Sequence, residues 1–288
     1  MLPSPPVETR LDATVLRAFP LPDNDHDDKR HRGTVMVIGG SVETPGAALL
    51  AGVAALRMGA GRLQIASAAP VLGHLGVSVP EALVIPYDDV DAESLCGRIA
   101  VADAVVVGPG LSDADHAADV LAAVLENASP EAIVVVDALG LDALLAVPAR
   151  PANAARIIVT PNREELARLG GDHAAGSSPE AAAAHEHDVT VVSFGRIAGP
   201  DGRSWVDDGA VTGLGTSGAG DILAGAVGGV AARSHDVPTA ALWAALTHRI
   251  AANRVASAIA PVGYLAREVV DELPRALGQL DDLVRRSG

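Results

Sequence analysis

From Gly33 onward, short runs rich in Val and Ile alternate with Ala-rich stretches of helical spacing, and this rhythm limits the possible folds. The apolar runs fall at 34–38, 63–66, 83–85, 104–107, 133–136, 157–159 and 189–192. The helical stretches include 45–58, 114–126, 164–169, 222–232 and 239–256, followed by a polar-faced C-terminal pair at 265–273 and 276–284. Strand and helix in alternation form right-handed βαβ units. The expected fold class is therefore α/β, with a mainly parallel central sheet and helices on both faces. Hydrophobic residues make up 49% of the 288 residues but aromatics only 2%, so the core must be built from Ala, Val, Leu and Ile. That composition suits closely packed helices over buried parallel strands better than a β-sandwich. Residues 1–32 are Pro-rich and then strongly charged from Asp23 to Arg32, and are expected to form a surface lead-in. Residues 33–288 show neither internal repeat nor linker and are read as one domain.

A formal net charge of −15 argues against nucleic acid or an anionic membrane as partner, because the long-range field would repel both. An anionic small molecule must then be held by local donors. The single cysteine, Cys96, leaves no intrachain disulfide and no multi-cysteine metal site. No run of about 18 uncharged apolar residues marks a membrane span, and the Pro-rich start does not read as a signal peptide, so a cytoplasmic protein is expected. The nine histidines form no His-Glu-x-x-His zinc pattern.

Small and polar residues collect after the strands. The 34–38 run ends in Gly39-Gly40-Ser41, 104–107 in Gly108-Pro109-Gly110, 133–136 in Asp137-Ala138, and 157–159 in Thr160-Pro161-Asn162. In an open parallel sheet these strand ends share one edge, where ligands bind. Downstream, Gly213-Leu214-Gly215-Thr216-Ser217-Gly218-Ala219-Gly220-Asp221 runs into a helical pattern. Small residues allow close backbone approach, and helix-start N–H groups attract phosphate. A carboxylate there repels phosphate unless it has a task, such as taking a proton from a nearby hydroxyl. Asp221 is equally a common helix cap. Asn162-x-x-Glu165 has the same two faces. It could hold phosphate through magnesium-bound water, or it could be a capping box.

Together, Asn162-x-x-Glu165 and Gly218-Ala219-Gly220-Asp221 resemble the paired motifs of the ribokinase-like kinases. Gly33 to Ser41, Pro45-Gly46-Ala47-Ala48, Ala54 to Gly61, Pro80-Glu81-Ala82, Val107 to Leu111, and Gly213 to Gly225 resemble one branch, the ADP/ATP-dependent NAD(P)H-hydrate dehydratases. Lys29 and Gly33 match that family's Lys-Gly lead-in, and the resemblance spans roughly 29–280. It implies a ribokinase-like fold and nucleotide-dependent removal of water from hydrated NADH or NADPH, with ADP or ATP as co-substrate and Mg2+. A cytoplasmic homotetramer is also implied, with the epimerase domain that often precedes this one expected to lie elsewhere. By the same resemblance Asp221 is the catalytic base and a substrate contact. Ala47, Gly110 and Asn162 would contact the hydrated dinucleotide, Gly218 and Gly220 the nucleotide phosphates, and Asn162 and Glu165 the metal. Ala47 is also a small residue for helix–sheet packing, and Gly110 a turn glycine.

Two departures stand out. The family's His-Pro-Gly-Glu is Asn162-Arg163-Glu164-Glu165 here, so a titratable ring becomes an amide. The family's nucleotide segment Lys-Gly-x-x-Thr becomes Phe194-Gly195-Arg196-Ile197-Ala198, which lacks both the cation and the hydroxyl. In that segment Arg196 could supply charge and Phe194 could stack on adenine. Alternatively, Phe194 fills a core gap and nucleotide binding is weakened. Two competing readings remain: a small-molecule kinase of the ribokinase or hydroxymethylpyrimidine-kinase type, and a non-catalytic nucleotide-binding relative.

Overall fold

A run of Val and Ile has no polar face to leave in water, so it is most stable inside a sheet covered on both sides. The computed structural model describes residues 8–23, 31–147, 156–170, 178–193, 195–209 and 213–286, and all seven runs are strands in one sheet. The chain opens with β1 (Glu8–Arg10), α1 (Ala13–Leu16), β2 (Thr34–Ile38), α2 (Pro45–Arg57), β3 (Arg62–Ser67) and, after a 3-10 turn, α3 (Leu72–Ser78). It continues through β4 (Ala82–Pro86), α4 (Glu93–Ala100), β5 (Ala104–Val107), α5 (Ala114–Asn127), β6 (Ile133–Val136) and α6 (Leu139–Ala146). Next come β7 (Arg156–Val159), α7 (Arg163–Leu169), α8 (Pro179–His187), β8 (Thr190–Ser193), β9 (Arg196–Ala198) and β10 (Ser204–Val206). Three long helices close it: α9 (Ala219–Ser234), α10 (Val237–Ala258) and α11 (Ala266–Arg286).

The strand order is β1-β10-β9-β8-β7-β6-β5-β2-β3-β4. From β8 across to β4 every pairing is parallel, so seven strands finish on one edge. The chain leaves β2 for β3 in one direction and β5 for β6 in the other, so right-handed crossovers place α2 and α5 on opposite faces. On the α2 face, α9 packs against α2, α10 and strands β2, β5 and β6, and α11 closes over α2 and α10. On the other face α4, α5 and α6 pack in succession. No helix among the described residues is long and apolar enough to cross a membrane.

The α9 contact sets the geometry of this face. A Cβ on Gly225 would lie 2.1 Å from the Ala51 carbonyl oxygen, and one on Gly229 2.4 Å from that of Ala55. A Cβ on Gly228 would lie 2.5 Å from Val106 of β5. Three glycines in five positions thus let α9 sink between α2 and the sheet.

Two expectations are corrected. The described part of the lead-in is integral to the fold: β1 pairs with β10, and Leu11, Leu16 and Leu21 are buried. The Trp243 ring N–H donates to the Phe19 carbonyl at 2.7 Å, tying this segment to α10. The C-terminal pair of helices is instead one helix, α11, that runs through Pro274. Val270, Leu273, Ala276, Leu277 and Leu280 form one buried stripe across the proline, and its packing outweighs the lost backbone bond.

Substituting Gly225→Ala should push α2 and α9 apart. The expected loss is about 1–3 kcal/mol, or roughly 3–10 °C in Tm, measured by thermal unfolding. Gly278→Ala, on exposed helix surface with nothing within 4 Å of the added Cβ, should hold or raise Tm.

Candidate active site

Because the strands are parallel, the residues that follow them meet along one rim. After β2, the Gly40 N–H donates to the Pro109 carbonyl at 2.7 Å, joining this loop to the one after β5. Thr44 Oγ1 donates to the Gly110 carbonyl at 2.9 Å, and a Cβ on Gly110 would lie 2.7 Å from the Ala47 methyl. Ala47 and Gly110, the two expected dinucleotide contacts, are therefore neighbours, both partly exposed. After β4, the Tyr87 hydroxyl donates to the Gly40 carbonyl at 2.5 Å and braces that loop.

Asp221 lies in the first turn of α9. The helix is capped by Gly218, whose left-handed backbone (φ 91) brings the chain beside Leu50 of α2, and no side chain caps it. Among the described residues the Asp221 carboxylate has no hydrogen-bond or ion-pair partner. It is therefore not a cap. Burial pushes its pKa up to about 6. Gly218 is half-buried beside it, and Gly220 is exposed.

A second carboxylate lies close by. Asp137 directly follows β6 and is 5% exposed, and Thr160 Oγ1 from the neighbouring strand end donates to its Oδ1 at 2.9 Å. Burial first, and then the Asp221 charge, raise the Asp137 pKa to about 7; the Thr160 bond works the other way, and Glu165 adds to the rise. The backbone here is held under strain. Ala138 has φ 48 and ψ −128, and a Cβ on Gly108 would lie 1.8 Å from the Asp137 carbonyl oxygen. The sequence alone marks Asp137 only as the residue after a strand. Its signal was the β6–β7 register, which pairs Val136 with Val159 and so places Asp137 beside Thr160.

Asn162 and Glu165 form a capping box at the start of α7. Asn162 Oδ1 accepts from the Glu164 and Glu165 N–H groups at 2.9 and 3.0 Å, and Glu165 Oε2 accepts from the Asn162 N–H at 2.8 Å. Among the described residues the Asn162 amide nitrogen and the second Glu165 oxygen have no hydrogen-bond partner. No group of three or more His, Cys, Asp or Glu side chains placed to hold a metal ion occurs among the described residues.

The segment expected to meet the nucleotide borders the same rim. Phe194 lies outside the described residues. Gly195 makes the turn between β8 and β9 with φ 77. Arg196 is ion-paired with Glu8 of the edge strand. Ile197 and Ala198 are buried in β9, paired on both sides by β8 and β10.

With this rim in place, similarity to known proteins is informative. A sequence profile of the NAD(P)H-hydrate dehydratase family matches residues 35–275. The chain is 40% identical to the ADP-dependent (S)-NAD(P)H-hydrate dehydratase of Xanthomonas campestris pv. campestris, over 93% of this chain and 96% of that one. The chain belongs to the NAD(P)H-hydrate dehydratase family. The enzyme of the same name from Lactiplantibacillus plantarum is 33% identical over 80% of this chain and 83% of that one. Among solved structures, the ADP/ATP-dependent NAD(P)H-hydrate dehydratase of Bacillus subtilis, co-crystallised with ATP/Mg2+, superposes with a TM-score of 0.79. That pair is 26% identical and covers 95% of this chain and 99% of the other. The central fold is thus the ribokinase-like one expected of this family.

The raised Asp137 pKa makes stability depend on pH. Relative to an unfolded Asp near 3.9, a folded value of about 7 means the native state binds the proton more tightly. Stability from this group is full below the unfolded pKa and is lost as pH rises toward 7. Asp137→Asn keeps an acceptor for Thr160 and removes the charge. Its Tm gain over wild type should be larger at pH 8 than at pH 4, and an equal effect at both would contradict the burial of a titrating carboxyl.

Proposed function

We propose that this chain is an ADP-dependent (S)-NAD(P)H-hydrate dehydratase that restores NADH or NADPH from the hydrated cofactor, with ATP as the other nucleotide it could use. The reading is carried by one observation in a chain of this family: an unpartnered Asp221 carboxylate, with its pKa raised to about 6, at a glycine-lined helix start. In the hydrated cofactor, water has added across a ring double bond, leaving a hydroxyl on the carbon next to the ring nitrogen. Hydroxide is a poor leaving group and phosphate a good one. Asp221 takes the hydroxyl proton as the oxygen attacks the terminal phosphoryl group of ADP, and AMP departs. The ring-nitrogen lone pair then expels phosphate, and loss of a proton from the adjacent carbon restores the double bond. Hydrated cofactor and ADP thus become NAD(P)H, AMP and phosphate.

Burial serves this chemistry. A carboxylate with a pKa near 6 is ionised at neutral pH yet more basic than an exposed Asp. Ala47, Gly110 and the free amide of Asn162 would position the dinucleotide. Backbone N–H groups at Gly218 and Gly220 would meet the phosphates. Mg2+ would arrive with the nucleotide, since it keeps several waters and uses one or two protein carboxylates plus phosphate oxygens. The remaining Glu165 oxygen and Asp137 are the oxygens at hand, and the ion would offset charge on the transferring group. We also read the protein as a cytoplasmic homo-oligomer, a homotetramer by analogy, whose partners are these small molecules rather than nucleic acid or membrane. Exposed Ile259, Val262 and Leu265 offer an apolar surface for self-association.

The test is to incubate the protein with hydrated NADH or NADPH plus ADP, or plus ATP, and follow the return of reduced-nicotinamide absorbance. No recovery with either nucleotide would overturn the reading. Phosphorylation of vitamin or sugar alcohols instead would favour a kinase. Asp221→Asn should lower turnover by about 10²–10⁴-fold while leaving nucleotide affinity largely unchanged. In wild type, kcat/KM should fall as Asp221 protonates below about pH 6.

A further inference from the structure

The nucleotide segment of this chain lacks a lysine, and its own arginine, Arg196, is engaged with Glu8 on the far edge strand. A net charge of −15 makes a local cation more necessary for a polyphosphate ligand. The topology supplies one from elsewhere. Strand β10 runs antiparallel to β9, so it ends on the same rim as the seven parallel strands, and Asp207 follows it directly. The Asp207 N–H donates to the Gly195 carbonyl at 2.7 Å, and a Cβ on Gly195 would lie 2.7 Å from the Asp207 carbonyl oxygen. Asp207 is therefore the direct neighbour of the nucleotide-segment glycine.

The buried Asp207 carboxylate grips Arg249 of α10 through Nε alone. Among the described residues the two terminal nitrogens of Arg249 have no hydrogen-bond partner. Space is kept for the guanidinium by Gly209, where a Cβ would lie 2.6 Å from Arg249 Cζ and Nη1. A guanidinium held at one nitrogen, with its other N–H groups unused, is preset for a charge-assisted pair with an anion. The rim holds a further unused polar group. Among the described residues the buried Tyr264 hydroxyl has no partner, and it lies 3.0 Å from where a Gly213 Cβ would stand. Gly213 begins the glycine run that leads to Asp221.

We propose that Arg249, anchored by Asp207, is the cation that contacts the phosphates of the adenine nucleotide in this chain, in place of the lysine missing from residues 194–198. The proposal rests on the nucleotide-dependent function above. It makes Arg249 a specificity residue: its contribution goes to phosphate, not to adenosine.

Calorimetric titration of the full chain with ADP, AMP and adenosine tests this. Arg249→Gln should weaken ADP binding about tenfold or more while changing adenosine affinity by less than about twofold. KM for ADP should rise and KM for the hydrated cofactor should hold. ADP affinity within about twofold of wild type would overturn the proposal, as would an equal loss for adenosine, which marks a merely structural ion pair. Arg-selective labelling of wild type with phenylglyoxal, mapped by mass spectrometry, decides the matter even where the variant fails to fold. ADP should protect Arg249 and adenosine should not; labelling unaffected by ADP would contradict it. If wild type itself binds neither ADP nor ATP, the dehydratase reading falls too. Normal wild-type turnover beside an unaffected Arg249→Gln sinks the arginine alone.

Discussion

The close approach of α9 to α2 and to the sheet is the contact on which the rest of the site depends. Gly225 and Gly229 put the backbone of α9 against the backbone of α2, and Gly228 puts it against β5. No side chain fits between α9 and α2, so the helix start is fixed there by backbone-to-backbone packing. That places Asp221, through Gly218 and Leu50, beside the α2 end that carries Ala47. The expected substrate loop and the expected base thus sit on two helices that cannot slide independently. Side-chain packing would permit small adjustments; this contact does not.

Electrostatics at the rim follow from the same burial. Asp221 and Asp137 lie near each other in a chain that is already strongly acidic, and both carboxyl pKa values are raised by desolvation. Asp137 is further oriented by Thr160 and by the strained turn at Ala138. Strain of this kind persists only where the surroundings over-determine it, and here the surroundings are the Gly108 turn and two paired strands. An arrangement of carboxylates that destabilises the protein at neutral pH is expected where chemistry, rather than folding, selects the residues.

The sequence carried the central sheet because its signal is local. Each of the seven Val- and Ile-rich runs is a strand with bounds shifted by only a residue or so, and their parallel order follows from the intervening helices. Features set by long-range pairing were hidden. Strands β1, β9 and β10 span three residues each, too few for a pattern, and β1 is held by β10 almost 200 residues away. The two C-terminal helical stretches expected at 265–273 and 276–284 are joined across Pro274, because the buried stripe of α11 carries the helix through it. At the site, Asp221 stood out because its glycine run is contiguous. Asn162 and Glu165 were readable both as ligands and as a cap, and the capping box is present. Asp137 needed the strand register, and Arg249 needed a contact with Asp207 from 42 residues earlier.

All these features converge on phosphate chemistry coupled to the loss of water, so the stoichiometry of that coupling is the most direct test. Rapid-quench sampling of a reaction with hydrated NADPH and ADP should yield AMP, inorganic phosphate and reduced cofactor in equal amounts. None of the three should form at an appreciable rate without the other substrate. Reduced cofactor returning without phosphate, or phosphate released without hydrated cofactor, would contradict Asp221 acting on a ring hydroxyl that leaves as phosphate.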